Sequence, residues 1–173
     1  MRDEDEFVAF ARGSRDRLRR TAYLMCGDWE RAADHVQEAL IRVYVAWPRL
    51  TRAGREYAYA RKAVVSVVLD HTRRRSSTEL VVEADPQRPA DLDVAELVSA
   101  RATLMQVMTA LPPRQRACVV LRYFDDLSVA ETAKALGCSE GTVKSQTARA
   151  LDRLRSMFDD SSLGELTLGA GTW

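Results

Sequence analysis

The chain has 173 residues, of which 46% are hydrophobic and 29% charged, with only eight glycines and five prolines. This composition indicates a soluble, globular and largely helical protein, with enough residues for one domain or two small ones. The formal net charge is only +1, which excludes a molecule that binds nucleic acid as a general polycation.

Charge is unevenly distributed along the chain. Residues 1–75 hold 16 Lys/Arg against 11 Asp/Glu, a net +5, and residues 76–111 hold 2 against 6, a net −4. Residues 112–173 are balanced, with 8 of each. Any basic surface for nucleic acid is therefore local and is expected mainly in the first segment.

Three widely spaced cysteines form no CxxC pair: Cys26, Cys118 and Cys138. An odd number of cysteines without a signal peptide indicates free thiols in a reducing cytoplasm. The two histidines, His35 and His71, do not group with them as zinc ligands do, so we expect no metal and no other cofactor. No apolar run approaches the roughly 20 residues needed to cross a bilayer, so we expect no membrane segment.

The first part of the chain predicts three helices. Apolar residues recur at helical spacing from Phe7, Gly27-Asp28 ends this helix and caps the next, and residues 29–47 carry a second apolar stripe that Pro48 is predicted to end. Residues 56–75 contain VVSVVL, which has the composition of a strand. The helical spacing of apolar residues over the whole stretch nevertheless favours a helix.

The middle of the chain predicts a break between two helical domains. Residues 76–93 carry two prolines and several acids without a sustained period, which indicates a flexible acidic linker. A helix is predicted from about Val94 to Leu111. Its inward positions are expected to be Leu97, Ala100, Leu104 and Met108. Pro112-Pro113 is predicted to open the next helix, and residues 161–173 are predicted to form a disordered tail.

Residues 128–158 have the pattern of a helix-turn-helix. Ser128 and Glu131 are spaced as a capping box, Gly137 can adopt the left-handed conformation that ends a helix, and Ser139 can cap the next one. Any helical bundle can contain such a helical hairpin. The donor-rich outer face of the second helix favours a helix-turn-helix, because a structural helix does not need that face.

The predicted fold is therefore all-α. A first helical domain covers residues 1–75, and a linker joins it to a second domain over residues 94–160. This second domain is predicted to be a four-helix, winged-helix-like unit that contains the helix-turn-helix.

The motifs ADHVQEALIRVYVAW, LDHTRRR and LPPRQRACVVLRYFDDLSVAETAKALGCSEGTVKS, in this order, resemble those of bacterial RNA polymerase sigma factors. The two-domain length resembles the extracytoplasmic-function group, group 4 of the sigma-70 family, and TAYLMCGD is similar to its actinobacterial SigE-like subset. The resemblance covers about residues 6–158. It implies a subunit that binds core polymerase and directs promoter-specific initiation by recognising −35 and −10 elements.

In the family, the DHVQEAL helix binds the clamp helices of the polymerase largest subunit. The matching positions in this chain are Asp34, Gln37, Glu38 and Ile41. A polar, acidic face with an apolar residue inside it suits a partner that offers arginines, although an ordinary solvated helix face has the same pattern. His35 stands where the family more often has leucine.

The resemblance also implies that the first domain opens the −10 element by flipping a base out of the non-template strand. The implied residues are Arg52, Arg55, Glu56, Tyr57, Arg61, Lys62, Arg73, Arg74 and Arg75. An aromatic that stacks and cations that bind phosphate can offset the cost of extruding a base. Tyr57 can instead belong to the core, and three arginines at a helix end are commonly solvated and favoured there by the helix dipole.

The second domain is implied to read the −35 element. The implied residues are Arg114, Arg116, Ser139, Thr142, Lys144, Ser145, Gln146 and Arg149. Lys144 and Arg149 can donate to guanine and Gln146 can pair with adenine, whereas Ser139 and the helix N-terminus can bind phosphate. The family often has arginine at the position of Gln146.

Further partners are implied by the resemblance alone. They are the beta flap of the polymerase, an anti-sigma factor, and the RNA exit channel, through which the family threads its acidic linker.

Two functions of other classes explain less of the sequence. A stand-alone helix-turn-helix regulator explains residues 112–158 but leaves the DHVQEAL helix and the arginine run without a purpose. An enzyme acting on nucleic acid would need catalytic groups, and the sequence has no Ser/His/Asp set, no GxxxxGK[ST] loop and no supported carboxylate pair. We therefore expect the bond-forming chemistry to belong to the polymerase.

Overall fold

A computed structural model describes residues 2–78 and 104–160, and the regular structure in both stretches is helical, as the sequence predicts. The first stretch contains α1 (Arg2–Cys26), α2 (Trp29–Leu50) and α3 (Glu56–Thr78). The second contains α4 (residues 104–110), α5 (Pro113–Val119), α6 (Val129–Leu136) and α7 (Glu140–Asp160). The remainder of the predicted linker, the predicted helix before residue 104 and the predicted tail lie outside the described residues.

The turn between α1 and α2 has the predicted chemistry. Gly27 has a φ of 77°, a left-handed conformation that glycine adopts without steric cost. Asp28 caps α2, because its Oδ1 accepts hydrogen bonds from the backbone N–H groups of Glu30 at 2.8 Å and Arg31 at 3.0 Å. These bonds, that from Arg31 first, lower the pKa of the Asp28 carboxyl.

Pro48 does not end α2, contrary to the sequence prediction. The helix continues to Leu50 and then tightens into a 3-10 turn over Thr51–Ala53. A proline one turn from the end of a helix removes a single backbone hydrogen bond, and the loss is tolerated here because Trp47 and Leu50 are buried in the core. The Trp47 ring lies 5.3 Å from that of Phe7 and thereby ties the end of α2 to α1.

The VVSVVL segment is helical, as the periodicity predicts. Predicted core positions such as Val64 and Val68 are buried, and so are Ala63 and Val65, which lie on other sides of α3. Because α1, α2 and α6 all pack against α3, several of its faces are apolar and its sequence shows weak amphipathicity. The helix extends to Thr78, so the first residues assigned to the linker are helical.

The helix-turn-helix has the predicted caps. The Ser128 Oγ accepts a hydrogen bond from the N–H of Glu131 at 3.1 Å, and the Glu131 carboxylate accepts one from the N–H of Ser128 at 2.9 Å. Gly137 has a φ of 63° and ends α6. In α4 the inward prediction holds for Met108, which is buried, but not for Leu104, which is 38% exposed.

The two helical domains pack against each other in this structure. Helices α1 and α3 of the first domain contact α5, α6 and the π-helical turn Val120–Phe124 of the second. Buried residues of both domains, among them Leu18 and Leu121, belong to one continuous hydrophobic core. We call this packed arrangement of the two domains closed. It places the turn before the helix-turn-helix against the face of α3 that carries predicted −10 residues.

Candidate nucleic-acid and polymerase interfaces

The start of α7 is organised by Ser139 and Thr142. The Ser139 Oγ accepts a hydrogen bond from the Thr142 N–H at 3.1 Å, and the two hydroxyl oxygens are 2.9 Å apart. The Ser139 hydroxyl therefore accepts from one of the backbone N–H groups at the start of α7, and both hydroxyl groups lie at this end of the helix. A phosphate arriving at this end of α7 would meet these hydroxyl groups and the positive end of the helix dipole.

The predicted base-reading residues of α7 share one outer face. Lys144, Ser145 and Arg149 are exposed and Gln146 is half-buried, whereas Val143 and Ala150 are fully buried on the opposite side. Burial of the apolar face fixes the orientation of the helix and leaves two cations and an amide pointing outward. Such a face can donate hydrogen bonds to base edges in a major groove.

The two arginines of α5 have different environments. Arg114 is exposed at the start of the helix, as a phosphate contact requires. The guanidinium of Arg116 instead donates hydrogen bonds to the backbone carbonyl oxygens of Met25 at 2.8 Å, Thr109 at 2.6 Å and Leu111 at 3.0 Å. In this arrangement Arg116 joins the second domain to the end of α1, and its predicted contact with phosphate stays a prediction.

The predicted −10 residues do not form one cluster. Arg55 and Lys62 are exposed, and Glu56 is half-buried in the first turn of α3. The arginines at the other end of α3, Arg73, Arg74 and Arg75, are exposed, and Arg73 lies 3.6 Å from the Asp70 carboxylate. The side chain of Arg52 lies outside the described residues.

Tyr57 and Arg61 are half-buried between the two domains. The guanidinium carbon of Arg17 lies 4.8 Å from the centre of the Tyr57 ring, and that of Arg61 lies 5.5 Å from it. Burial raises the pKa of the Tyr57 hydroxyl. Arg17 was missed by the sequence reasoning, because its proximity to Tyr57 depends on the packing of α1 against α3.

The predicted polymerase-binding residues lie together on α2. Asp34 and Gln37 are exposed, and Ile41 is 61% exposed. Tyr44 and Val45, one turn further on, are 52% and 79% exposed and extend the apolar part of this face. The sequence reasoning missed both, although their spacing of three and four residues from Ile41 was the available signal.

An apolar groove adjoins this face between α1 and α2. Phe7 and Val8 line it from α1, and Leu40, Ile41 and Tyr44 line it from α2. An apolar floor beside exposed polar residues such as Asp34 and Gln37 has the general composition of a protein-binding surface.

Residues 10–78 match the family Sigma-70 region 2, and residues 101–154 match Sigma-70, region 4. An RNA polymerase sigma-E factor of Streptomyces coelicolor is 40% identical over 150 residues, which cover 87% of this chain and 84% of that protein. The ECF RNA polymerase sigma factor SigM of Mycobacterium tuberculosis is 30% identical over 158 residues, which cover 90% of this chain and 79% of that protein. The chain belongs to the ECF sigma factors.

The fold of this sigma factor is also similar to a solved structure. The sigma factor RpoE from Bartonella quintana, crystallised in complex with the anti-sigma factor NepR, superposes with a TM-score of 0.68 and is 21% identical, covering 90% of this chain and 98% of that one. As an ECF sigma factor, the protein directs promoter-specific transcription initiation, with core RNA polymerase and promoter DNA as its partners.

One predicted polymerase contact of the sigma factor, Glu38, is already engaged within the chain. Its carboxylate accepts a hydrogen bond from Arg42 at 2.8 Å and lies 2.9 Å from Nε2 of His71. The His71 bond is the main reason why the pKa of Glu38 is lowered. His35 is buried 4.7 Å from the His71 ring, and its burial lowers its pKa. His35 therefore packs inside the sigma factor and is not part of the exposed α2 face.

The described residues contain no group of three His, Cys, Asp or Glu side chains that could hold a metal ion. Within the same parts of the sigma factor, no helix combines the length and apolarity needed to cross a membrane.

Proposed function

We propose that the two domains of the sigma factor bind different partners, and that each partner is bound by an exposed face described above. The α2 face around Asp34, Gln37 and Ile41 binds the clamp helices of core polymerase. The α3 region handles the −10 strand, and the α7 face with Lys144, Gln146 and Arg149 reads the −35 element. The observation that carries the proposal is the exposure of Ile41 within a polar face, because a residue left so apolar and exposed suits burial by a partner.

The proposal assigns no bond-forming chemistry to this chain. The three cysteines are free, and burial raises the pKa of the Cys26 thiol and raises that of Cys118 to about 11. Such thiols are poor nucleophiles at neutral pH. The polymerase supplies the catalytic chemistry, and the sigma factor works beside it in the cytoplasm.

We also propose an anti-sigma factor as a partner. The support is the likeness in fold to a sigma factor solved in such a complex, together with the apolar groove between α1 and α2. A protein that covers this groove and the adjoining α2 face would exclude core polymerase without any chemical change.

Asp34→Lys tests the polymerase surface. The reversal of charge is expected to weaken binding of purified core polymerase about tenfold, which corresponds to about 1.4 kcal/mol, while helical circular dichroism is unchanged because Asp34 is exposed. Asp16→Lys is the matched control, because Asp16 is equally charged and exposed but lies on α1. Undiminished polymerase binding by folded Asp34→Lys would remove Asp34 from the proposed interface.

A further inference from the structure

A carboxylate of the second domain lies in a cleft between α1 and α3 of the first. Asp125 is only 9% exposed. Its two carboxylate oxygens lie 2.9 and 3.2 Å from the Thr21 hydroxyl oxygen, which has one proton to donate to the carboxylate. Arg17 and Arg61 are close enough to favour its charged form electrostatically, and both guanidinium groups lie near the Tyr57 ring. We refer to Arg17, Thr21, Tyr57 and Arg61 as the α1–α3 cleft.

The cleft offers more hydrogen-bond donors than Asp125 uses. The Tyr57 hydroxyl and the Nε of Arg61 are buried and have no hydrogen-bond partner among the described residues. Buried donors of this kind are costly unless an acceptor reaches them. The charged form of the Asp125 carboxylate is also not fully stabilised. Burial raises its pKa, although the Thr21 hydrogen bond and the two arginines act to lower it. Asp125 thus leaves two buried donors of the cleft without an acceptor.

We propose that the α1–α3 cleft binds a backbone phosphate of the single DNA strand in the −10 region, and that Asp125 occupies the position of this phosphate in the closed protein. A phosphate has more acceptor oxygens than a carboxylate, and arginines bind it through paired hydrogen bonds. The inference rests on the proposed −10 role of α3. It adds α1 to the strand site through Arg17 and Thr21, which the sequence did not single out.

Occupancy by Asp125 excludes the strand, because its carboxylate fills the space beside Thr21 that the phosphate would need. DNA binding at the cleft therefore requires the second domain to move away from α1 and α3. The second domain is held there by the Thr21–Asp125 hydrogen bond and by the bond from Arg116 to the Met25 carbonyl. The closed sigma factor masks its own strand site, and opening unmasks it.

The full-length protein without polymerase tests this proposal, with a fluorescent single-stranded oligonucleotide of random sequence as the probe. Random sequence suffices because phosphate contacts carry no sequence information. Asp125→Ala is expected to bind the probe several-fold more tightly than the unmodified chain. Asp126→Asn removes the same charge from the exposed neighbouring residue, retains a residue type that tolerates its φ of 52°, and is expected to leave the affinity unchanged.

A second substitution shows whether the tighter binding uses the cleft. Adding Arg17→Ala to Asp125→Ala is expected to abolish the gain and to reduce the salt dependence of binding by about 0.7 in slope, the loss of one single-strand phosphate contact. Arg12→Ala in the same background is the control, because Arg12 is an exposed arginine on the same helix. Circular dichroism and an unfolding midpoint establish that each variant is folded. If Asp125→Ala is unfolded, Asp125→Asn replaces it.

Two results would overturn the proposal. One is an Asp125 variant that is folded but binds the probe no more tightly than Asp126→Asn. The other is a gain that survives Arg17→Ala, which would show that opening exposes a different surface. Neither result involves polymerase, so the proposed sigma function would stand in both cases. The proposed polymerase contact of α2 is tested separately, by core binding of Asp34→Lys.

Discussion

At the scale of single residues, the turns of this sigma factor are governed by local backbone chemistry. Asp28 and Ser128 each satisfy backbone N–H groups of the helix that follows, and Gly137 supplies the left-handed residue that ends α6. These roles depend on neighbours within three residues in the chain. For this reason they could be predicted from the sequence.

Two glycines of the helix-turn-helix are expected to respond to alanine in opposite directions. Gly137→Ala should lower the free energy of unfolding by about 1 kcal/mol, because a side chain is strained at a φ of 63°. Gly141 lies inside α7, and a Cβ there would meet the Ser139 Oγ at an ordinary 3.8 Å, so Gly141→Ala should raise the same free energy by about 0.5–1 kcal/mol. Denaturant titration of the two variants measures both. Equal effects in one direction would show that backbone conformation does not decide them.

Other residues have roles that the sequence could not reveal. Arg116 was predicted as a phosphate contact and Asp125 was not among the predicted site residues, yet their partners Met25 and Thr21 lie 91 and 104 residues away. Arg17 is of the same kind, since it meets Tyr57 only across helices. The local sequence pattern cannot predict contacts that form only when one domain packs on the other.

At the scale of helices, the sequence predicted burial correctly where a helix buries a single face. It was wrong where packing against another helix changes how a helix ends. In α7, Val143 and Ala150 are buried opposite the donor-rich outer face that the sequence predicts. The end of α2 is different, because the aromatic packing of Trp47 carries the helix past Pro48. Helix α3 was ambiguous in sequence because several of its faces are buried, which made its apolar residues resemble a strand.

The outer face of α7 predicts how the sigma factor distinguishes promoters. Arg149→Ala is expected to cost about 1–3 kcal/mol at one base pair of the −35 element, because it removes a donor to a base edge. Arg114→Ala is the comparison and should weaken binding to all sequences about equally, since a phosphate contact does not depend on sequence. Holoenzyme binding to a set of single-base −35 variants separates the two. Uniform losses for Arg149→Ala would show that it does not read a base.

At the scale of the whole molecule, the closed arrangement leaves two of the three proposed functional surfaces exposed and covers the third. The α2 face and the outer face of α7 are exposed in the closed protein. The α1–α3 cleft is covered by the second domain through Asp125. If the proposed roles hold, the closed sigma factor presents its polymerase surface while its strand site is covered, and we expect polymerase binding to precede access of the single strand to the cleft.

The closed arrangement should depend on the shape of the Arg116 guanidinium as well as on its charge. Its planar fork reaches three backbone carbonyl oxygens at once, whereas a lysine ammonium is a compact charge that cannot reproduce this geometry. Arg116→Lys is therefore expected to shift the free protein toward open forms, with a larger radius of gyration in small-angle scattering. Arg114→Lys makes the same exchange at an exposed position of the same helix and should leave the radius unchanged. If both variants scatter like the unmodified chain, the fork of Arg116 does not hold the domains together, and the Thr21–Asp125 contact and the shared apolar core must suffice to keep the molecule closed.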